Sequence, residues 1–260
     1  MAATEKLWLD DIGVIDSEES AIKCAETILE EAKRILNSEE GWSSVEGPKC
    51  EDVKLESKMI SVTTLPVVRA AGRVECSANE LYDLLVSKEG AQLINPSADL
   101  RDYDKPFLGP FPLRPEDGDG AGEKSSTDNQ RPRIVQLERT VMKMPVVADR
   151  EFVTANVKDG PNLVFTASSV LSPEYPGGST HQSEMRATRT WRLVRAVIAA
   201  TYMCCPIEGE ERACVLKIWQ WLDVGGWLPA KVNRTANVQW FLPAYERIRA
   251  HVKENMNGQR

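Results

Sequence analysis

Apolar residues recur at helical spacing early in the chain, with Ile22, Ala25, Leu29, Ala32 and Leu36 on one face of a segment otherwise rich in charge. Asp16 or Ser17 can cap this helix, and Glu18 and Glu19 suit the positive end of its dipole. A single apolar face predicts a helix docked on the outside of a sheet. The period then shortens towards two: Val53 to Ile60 and Val67 to Glu75 read as strands separated by Pro66, and Ser77 to Val86 as a short helix. Strand-like runs return at Arg133 to Val141, Arg150 to Val157 and Leu163 to Val170, with Asp159-Gly160-Pro161-Asn162 as a hairpin turn. Met185 to Cys205 is an unusually long run, either one bent strand or a hairpin.

Two stretches break the pattern. Residues 105–132 are rich in Pro, Gly, Asp and Ser and have no hydrophobic period, which predicts an exposed, flexible insertion between strands. Near the C-terminus, a strand ending in Trp219, Trp221 and Asp223 meets Gly225-Gly226-Trp227-Leu228-Pro229. The glycines permit a tight turn and the proline suits a first helical turn. The helix that follows carries Val232, Ala236, Trp240, Leu242, Tyr245, Ile248 and Val252, a stripe too apolar for a solvated tail. Pro243 lies inside it and removes one backbone bond, to Gln239.

Composition narrows the function classes. At 260 residues with 42% hydrophobic content, the whole chain can form one domain around a large core. No run of about 18 apolar residues predicts a membrane span. The opening residues lack the basic start and apolar centre of a secretion signal, so a cytoplasmic address is expected. The net charge of −7 argues against a nucleic-acid footprint. Six cysteines without metal-ligand spacing predict free thiols and no metal. The two histidines, His181 and His251, stand in poor positions for nucleophilic catalysis, Gly118 to Gly122 neither follows a strand nor opens a helix, and no cofactor is expected.

The order of Asn79-Glu80-Leu81-Tyr82-Asp83-Leu84-Leu85, Asp149-Arg150-Glu151-Phe152-Val153, Val194-Arg195-Ala196 and Asp223-Val-Gly-Gly-Trp-Leu-Pro229 before a helix bearing Asn233 resembles the START domain family of lipid-binding modules. The resemblance runs from about Ile22 to the end. It implies an α+β helix-grip fold: a curved antiparallel sheet around the long C-terminal helix, the N-terminal helix packed outside, and one lipid enclosed in a tunnel. The implied function is lipid binding and transfer between membranes, without a chemical step. The alternatives are a helix-grip enzyme acting on a hydrophobic ligand, and a lipid sensor that uses residues 105–132 to bind a protein partner.

The resemblance also distributes roles. Met142, Met144, Pro145, Val146 and Val147 form an apolar loop where such domains close the tunnel against the C-terminal helix, and methionine repacks readily against varied chains. Lys231, Arg234, Arg247, Arg249 and Lys253 make that helix locally basic, which suits transient contact with an anionic membrane surface. Counted from Arg150 without gaps, the places where sterol-binding members carry an acidic residue and an arginine hold Leu137 and Asn156. With Leu137 on the tunnel side, alternation puts Val135, Arg139 and Val141 there too. Arg139 is then a buried cation that a lipid phosphate can join, favouring a glycerophospholipid over a sterol. A one-residue slip instead puts Glu138 inside and Arg139 in water. Tyr202, Trp219, Val232, Ala236 and Trp240 complete the expected lining, and Trp191, Tyr202, Trp219, Trp221, Trp227 and Trp240 are either core or part of an aromatic cage for a choline head.

Overall fold

The computed structural model describes residues 13–45, 52–59, 65–100, 103, 105–114, 131–143, 148–173, 189–190, 193–225 and 230–256. Within these, the side chains of 189–190, 193, 230–234, 236–240 and 256 lie outside the description.

Helix α1 (Glu18–Asn37) begins at Ser17, whose hydroxyl accepts from the Ser20 amide while the Ser20 hydroxyl accepts from the Ser17 amide. The strands are β1 (Ser43–Ser44), β2 (Val53–Met59), β3 (Pro66–Val74), β4 (Ala98–Asp99), β5 (Leu108–Pro112), β6 (Arg133–Met142), β7 (Asp149–Asp159), β8 (Val164–Ser169), β9 (Arg189–Thr190), β10 (Leu193–Arg195), β11 (Val197–Ile207) and β12 (Glu210–Asp223). Helices α2 (Ala78–Leu85) and α3 (Lys88–Ile94) follow β3, and α4 (Ala230–His251) follows β12 and runs into a π-helical turn, Val252–Met256. The strands form one sheet running β1-β2-β3-β12-β11-β8-β7-β6, with β4 and β5 on the far side of β6. Every named pair is antiparallel except β10 with β7, and β9 pairs with β10.

The sheet is covered on both faces. Against one, α1 buries Ala25, Ile28, Leu29, Ala32 and Leu36, packed in one cluster with Val135, Leu137, Val153, Ala155, Trp219 and Trp221. Against the other, α2 and the C-terminal half of α4 bury Leu81, Leu85, Phe241, Tyr245, Ile248 and Val252 with Val68, Ala200, Tyr202, Leu216 and Ile218. Close approach of α4 to β3 requires Gly72, because a Cβ there would meet the Tyr245 hydroxyl at 2.6 Å.

Three expectations need correction. The expected insertion at 105–132 is not featureless throughout: Leu108–Pro112 pairs with β6, and Phe107, Leu108, Phe111 and Leu113 pack into the α1-side core. Residues 115–130 lie outside the described ones. The long run from Met185 resolves, among the described residues, into three strands, with β10 turning back to pair in parallel with β7. Helix α3 was not foreseen. It packs across the end of α2 so closely that a Cβ on Gly90 would lie 2.0 Å from the Leu84 carbonyl oxygen.

Candidate functional site

Strands β6 and β7 form the floor of the site, and their register assigns its faces. Gln136 stands opposite Asn156, Glu138 opposite Thr154 and Thr140 opposite Phe152, so the even-numbered residues of both strands share a face. That face turns towards α2, α3 and α4. Glu138, Thr140, Phe152, Thr154, Asn156 and Lys158 line a cavity of about 160 Å³, together with Phe165 and Ala167 of β8 and Ile198, Ala200 and Tyr202 of β11. Its roof is Leu85, Ala91, Ile94, Asn95, Ala98, Leu100 and Tyr103. Local bonds hold that roof. Ser87 caps α3 by accepting from the Gly90 amide at 3.1 Å, and the Tyr103 hydroxyl donates to the Val86 carbonyl at 2.7 Å.

A second cavity of about 450 Å³ adjoins the first, sharing Ile94, Asn95, Phe152, Ile198 and Tyr202 as walls. It lies between α3 and α4, with Met142, Ile218, Gln220 and Leu222 below and Phe241, Pro243, Ala244 and Arg247 above. Its volume is in the range of about 300–1,000 Å³ usual for ligand pockets. The Arg247 guanidinium seals the seam by donating to the last carbonyls of α3, Leu93 at 2.6 Å and Ile94 at 3.1 Å. The Asn95 amide donates to the Met142 sulfur at 3.1 Å along the same seam.

Most of the lining is apolar, but polar side chains are built into it, among them Lys158 and a bonded cluster around Glu138. The Glu138 carboxylate, 9% exposed, accepts from the Asn156 amide at 2.6 Å and from the Gln136 amide, and the Thr154 hydroxyl donates to the Asn156 carbonyl oxygen at 3.1 Å. Tyr202 stacks on Phe165, with ring centroids 5.9 Å apart, and burial pushes its phenol well above the usual range. It therefore stays neutral and can donate a hydrogen bond.

Of the expected lining residues, the structure brings Asn156 and Tyr202 to these cavities, and of the expected lid loop Met142 borders the larger one. Leu137 and Trp219 are on the opposite face, fully buried against α1. Val141 and Arg139 share the parity of Leu137 and line neither cavity. Arg139 is partly exposed and pairs with Glu151 at 2.6 Å, and the same carboxylate pairs with buried Arg195 at 2.8 Å. The expected buried, unpaired Arg139 is thus corrected, and the phosphate argument for a glycerophospholipid loses its carrier. Trp221 also packs beneath α1 rather than around a head group. Val232, Ala236 and Trp240 belong to α4, but their side chains, with those of Lys231 and Arg234, lie outside the described residues. Met144, Pro145, Val146, Val147, Trp191 and Trp227 also lie outside them. Arg247, expected on a basic outer face, instead joins α4 to α3.

Sequence reasoning missed Thr154, Lys158, Phe165, Ile198 and the α3 roof. Once Asn156 is placed inside, alternation along β7 identifies Phe152, Thr154 and Lys158, so the signal was present. Among the described residues, no group of His, Cys, Asp or Glu is arranged to hold a metal ion, and no helix is long and apolar enough to cross a membrane.

No protein-family model matches the chain, and no curated protein matches its sequence. Its architecture, however, matches solved structures. Human StAR-related lipid transfer protein 5 superposes with a TM-score of 0.59 at 18% identity, covering 92% of this chain and 99% of that one. Human STARD10 gives 0.53 at 16% identity over 88% of this chain and 81% of its own. A STAR-related lipid transfer protein fragment from Xanthomonas axonopodis gives 0.53 at 14% identity over 83% and 100%. A large antiparallel sheet, a helix outside it and a C-terminal helix across its other face make this a START-like, helix-grip fold.

Proposed function

We propose that the chain binds one lipid between the sheet and helices α3 and α4, and carries it between membranes without altering it. The observation that carries this reading is the pair of adjoining cavities, apolar over most of their walls, one of which holds the bonded Glu138–Asn156–Thr154 group. Their position under α4 is supported as a lipid site by the similarity to proteins named for lipid transfer. Each methylene that enters such a cavity gains about 0.8 kcal/mol over water, so an acyl chain or ring system can leave a bilayer only into an enclosed apolar space. The Glu138–Asn156–Thr154 group then orients the ligand. A carboxylate accepts hydrogen bonds and repels anions, so at this point the ligand presents a donor such as a hydroxyl or amide.

Parting of the α3–α4 seam would widen the way into the larger cavity, which lies between those helices. Contact with a membrane surface would provide the setting, with a cytoplasmic location and transient peripheral binding. The test is to incubate the purified protein with liposomes of mixed lipid classes, re-isolate it and identify extracted lipids by mass spectrometry. One lipid per chain, enriched in hydroxyl- or amide-bearing classes and transferable to acceptor vesicles, is expected. Recovery of no lipid, or of a chemically changed one, would overturn the reading.

A further inference from the structure

One end of the cavity-facing surface holds a buried cation that, among the described residues, has no carboxylate bonded to its guanidinium. Arg150 stands on β7 two residues before Phe152, on the same face as the cavity residues Phe152, Thr154 and Asn156. It is only 2% exposed and lines neither cavity itself, but its β6 partner Met142 and its neighbour Phe152 line the larger one. Its cross-strand neighbours are Met142 on β6 and Val194 on β10, both buried and apolar. The one hydrogen bond it makes among the described residues is to the Ala148 carbonyl, and its Nε is buried without a partner.

The nearby carboxylates are bonded to other groups, and Asp149 offsets Arg150 only through space, by less than burial costs it. Glu151 holds Arg139 and Arg195, Asp149 pairs with Lys143 at 2.9 Å, and Asp223 accepts from the Gly225 amide. A guanidinium out of water with one carbonyl for company is costly, and burial lowers its proton affinity. Such a group is stabilised by an oxyanion, which it can meet with two parallel hydrogen bonds.

We propose that Arg150 is an anion-binding site at the end of the lipid cavity, taking the carboxylate or phosphate of an acidic amphiphile whose chain lies along β7. This deepens the reading of the cavity as a lipid site and rests on it. It does not bring the anion onto Glu138. That carboxylate lies opposite Thr154, four residues further along β7, or about 13 Å away at 3.3 Å per residue.

The experiment compares ligands of equal chain length below their micellar concentrations: dodecanoate and dodecyl phosphate against dodecanol and methyl dodecanoate. Displacement of a neutral apolar dye would be read on wild-type protein and on the Arg150→Gln and Arg150→Lys variants. The two anions are expected to bind roughly 10- to 100-fold more tightly than the neutral pair in the wild type, the worth of a charge-assisted pair. Arg150→Gln should abolish the difference, and Arg150→Lys should retain part of it. Inorganic phosphate alone, read as thermal stabilisation of the wild type, separates the two sources. Stabilisation by phosphate without a preference among the amphiphiles would assign the site to a free anion and overturn its role in lipid binding.

Equal binding of all four compounds to the wild type would overturn the inference while leaving the cavity reading intact. Binding of none would overturn both. If Arg150→Gln does not fold, the wild-type comparison with Arg150→Lys still decides the matter.

Discussion

Arg139 and Glu151 allow the face assignment of β6 to be tested by stability and lipid uptake together. In the structure, Arg139 is 35% exposed in its side chain and points away from the cavity, whereas Glu151 is 10% exposed and is shared with Arg195, itself 5% exposed. Removing Arg139 breaks a solvent-screened pair and leaves Glu151 with its buried partner. Arg139→Ala should therefore cost under about 1 kcal/mol. Glu151→Ala strands the Arg195 guanidinium in the interior and should cost about 3–5 kcal/mol. At about 2–4 °C per kcal/mol for a chain of this size, the second variant melts about 6–20 °C lower. Urea unfolding supplies the free energies, and loading from fluorescent-lipid vesicles supplies the function. Arg139→Ala should load lipid as the wild type does, because nothing of Arg139 reaches the cavity. A tenfold loss of loading in Arg139→Ala, or a Glu151→Ala cost no larger than that of Arg139→Ala, would refute the register argument.

Further predictions follow from the same packing. Leu137→Ala should destabilise by about 2–5 kcal/mol while leaving the order of preferred lipids unchanged, since Leu137 is fully buried under α1 rather than beside ligand; unfolding curves and competitive loading check both halves. Arg247→Ala frees the last carbonyls of α3 and should speed lipid exchange between vesicles in stopped-flow transfer, at a stability cost of about 1.5–3 kcal/mol. Ser77→Ala removes the α2 cap and should cost about 1 kcal/mol at neutral pH. The Ser77 hydroxyl and amide hold the Glu80 carboxyl below its usual range, so its stabilisation is present above about pH 4.3 and is lost as pH falls through the depressed value. Melting curves of wild type and Ser77→Ala should therefore converge on acidification.

Much of this architecture is legible in the residues. The α1 stripe with its serine cap and the β6–β7–β8 meander follow simple local rules. The α3 helix is not, because Lys88 to Ile94 is short, contains Gly90 and has only Leu93 and Ile94 as large apolar residues; tertiary contact with α2 holds it. Strand β5 hides in a segment whose average composition is that of a loop, although Phe107, Leu108, Phe111 and Leu113 carry a packing signal. On β6 the alternation itself is plain: Val135, Leu137 and Val141 on one side, Gln136, Glu138 and Thr140 on the other. Which side meets the cavity depends on pairing. Asn156 stands opposite Gln136, so if one of them is inside, the even residues of β6 are inside as well. Placing Leu137 beside Asn156 violated that parity, and the apolar side belonged to the face that a whole helix covers.

The two faces of the sheet therefore solve different physical problems. Beneath α1, large side chains such as Ile28, Leu137, Trp219 and Trp221 are fully buried in one apolar cluster, and that face contributes stability. Across the sheet, Glu138, Asn156, Thr154 and Gln136 cannot be pressed against an apolar helix without strong desolvation cost. They bond to one another instead, and the helices above them are held off at the seam by the roof of α3 and by Arg247. A cavity survives there because its polar residues resist dry packing while its aromatic and aliphatic residues resist filling by water. On the function proposed above, that combination would suit an amphipathic guest, with chain or rings against Phe152, Phe165 and Ile198 and a hydrogen-bond donor at Glu138.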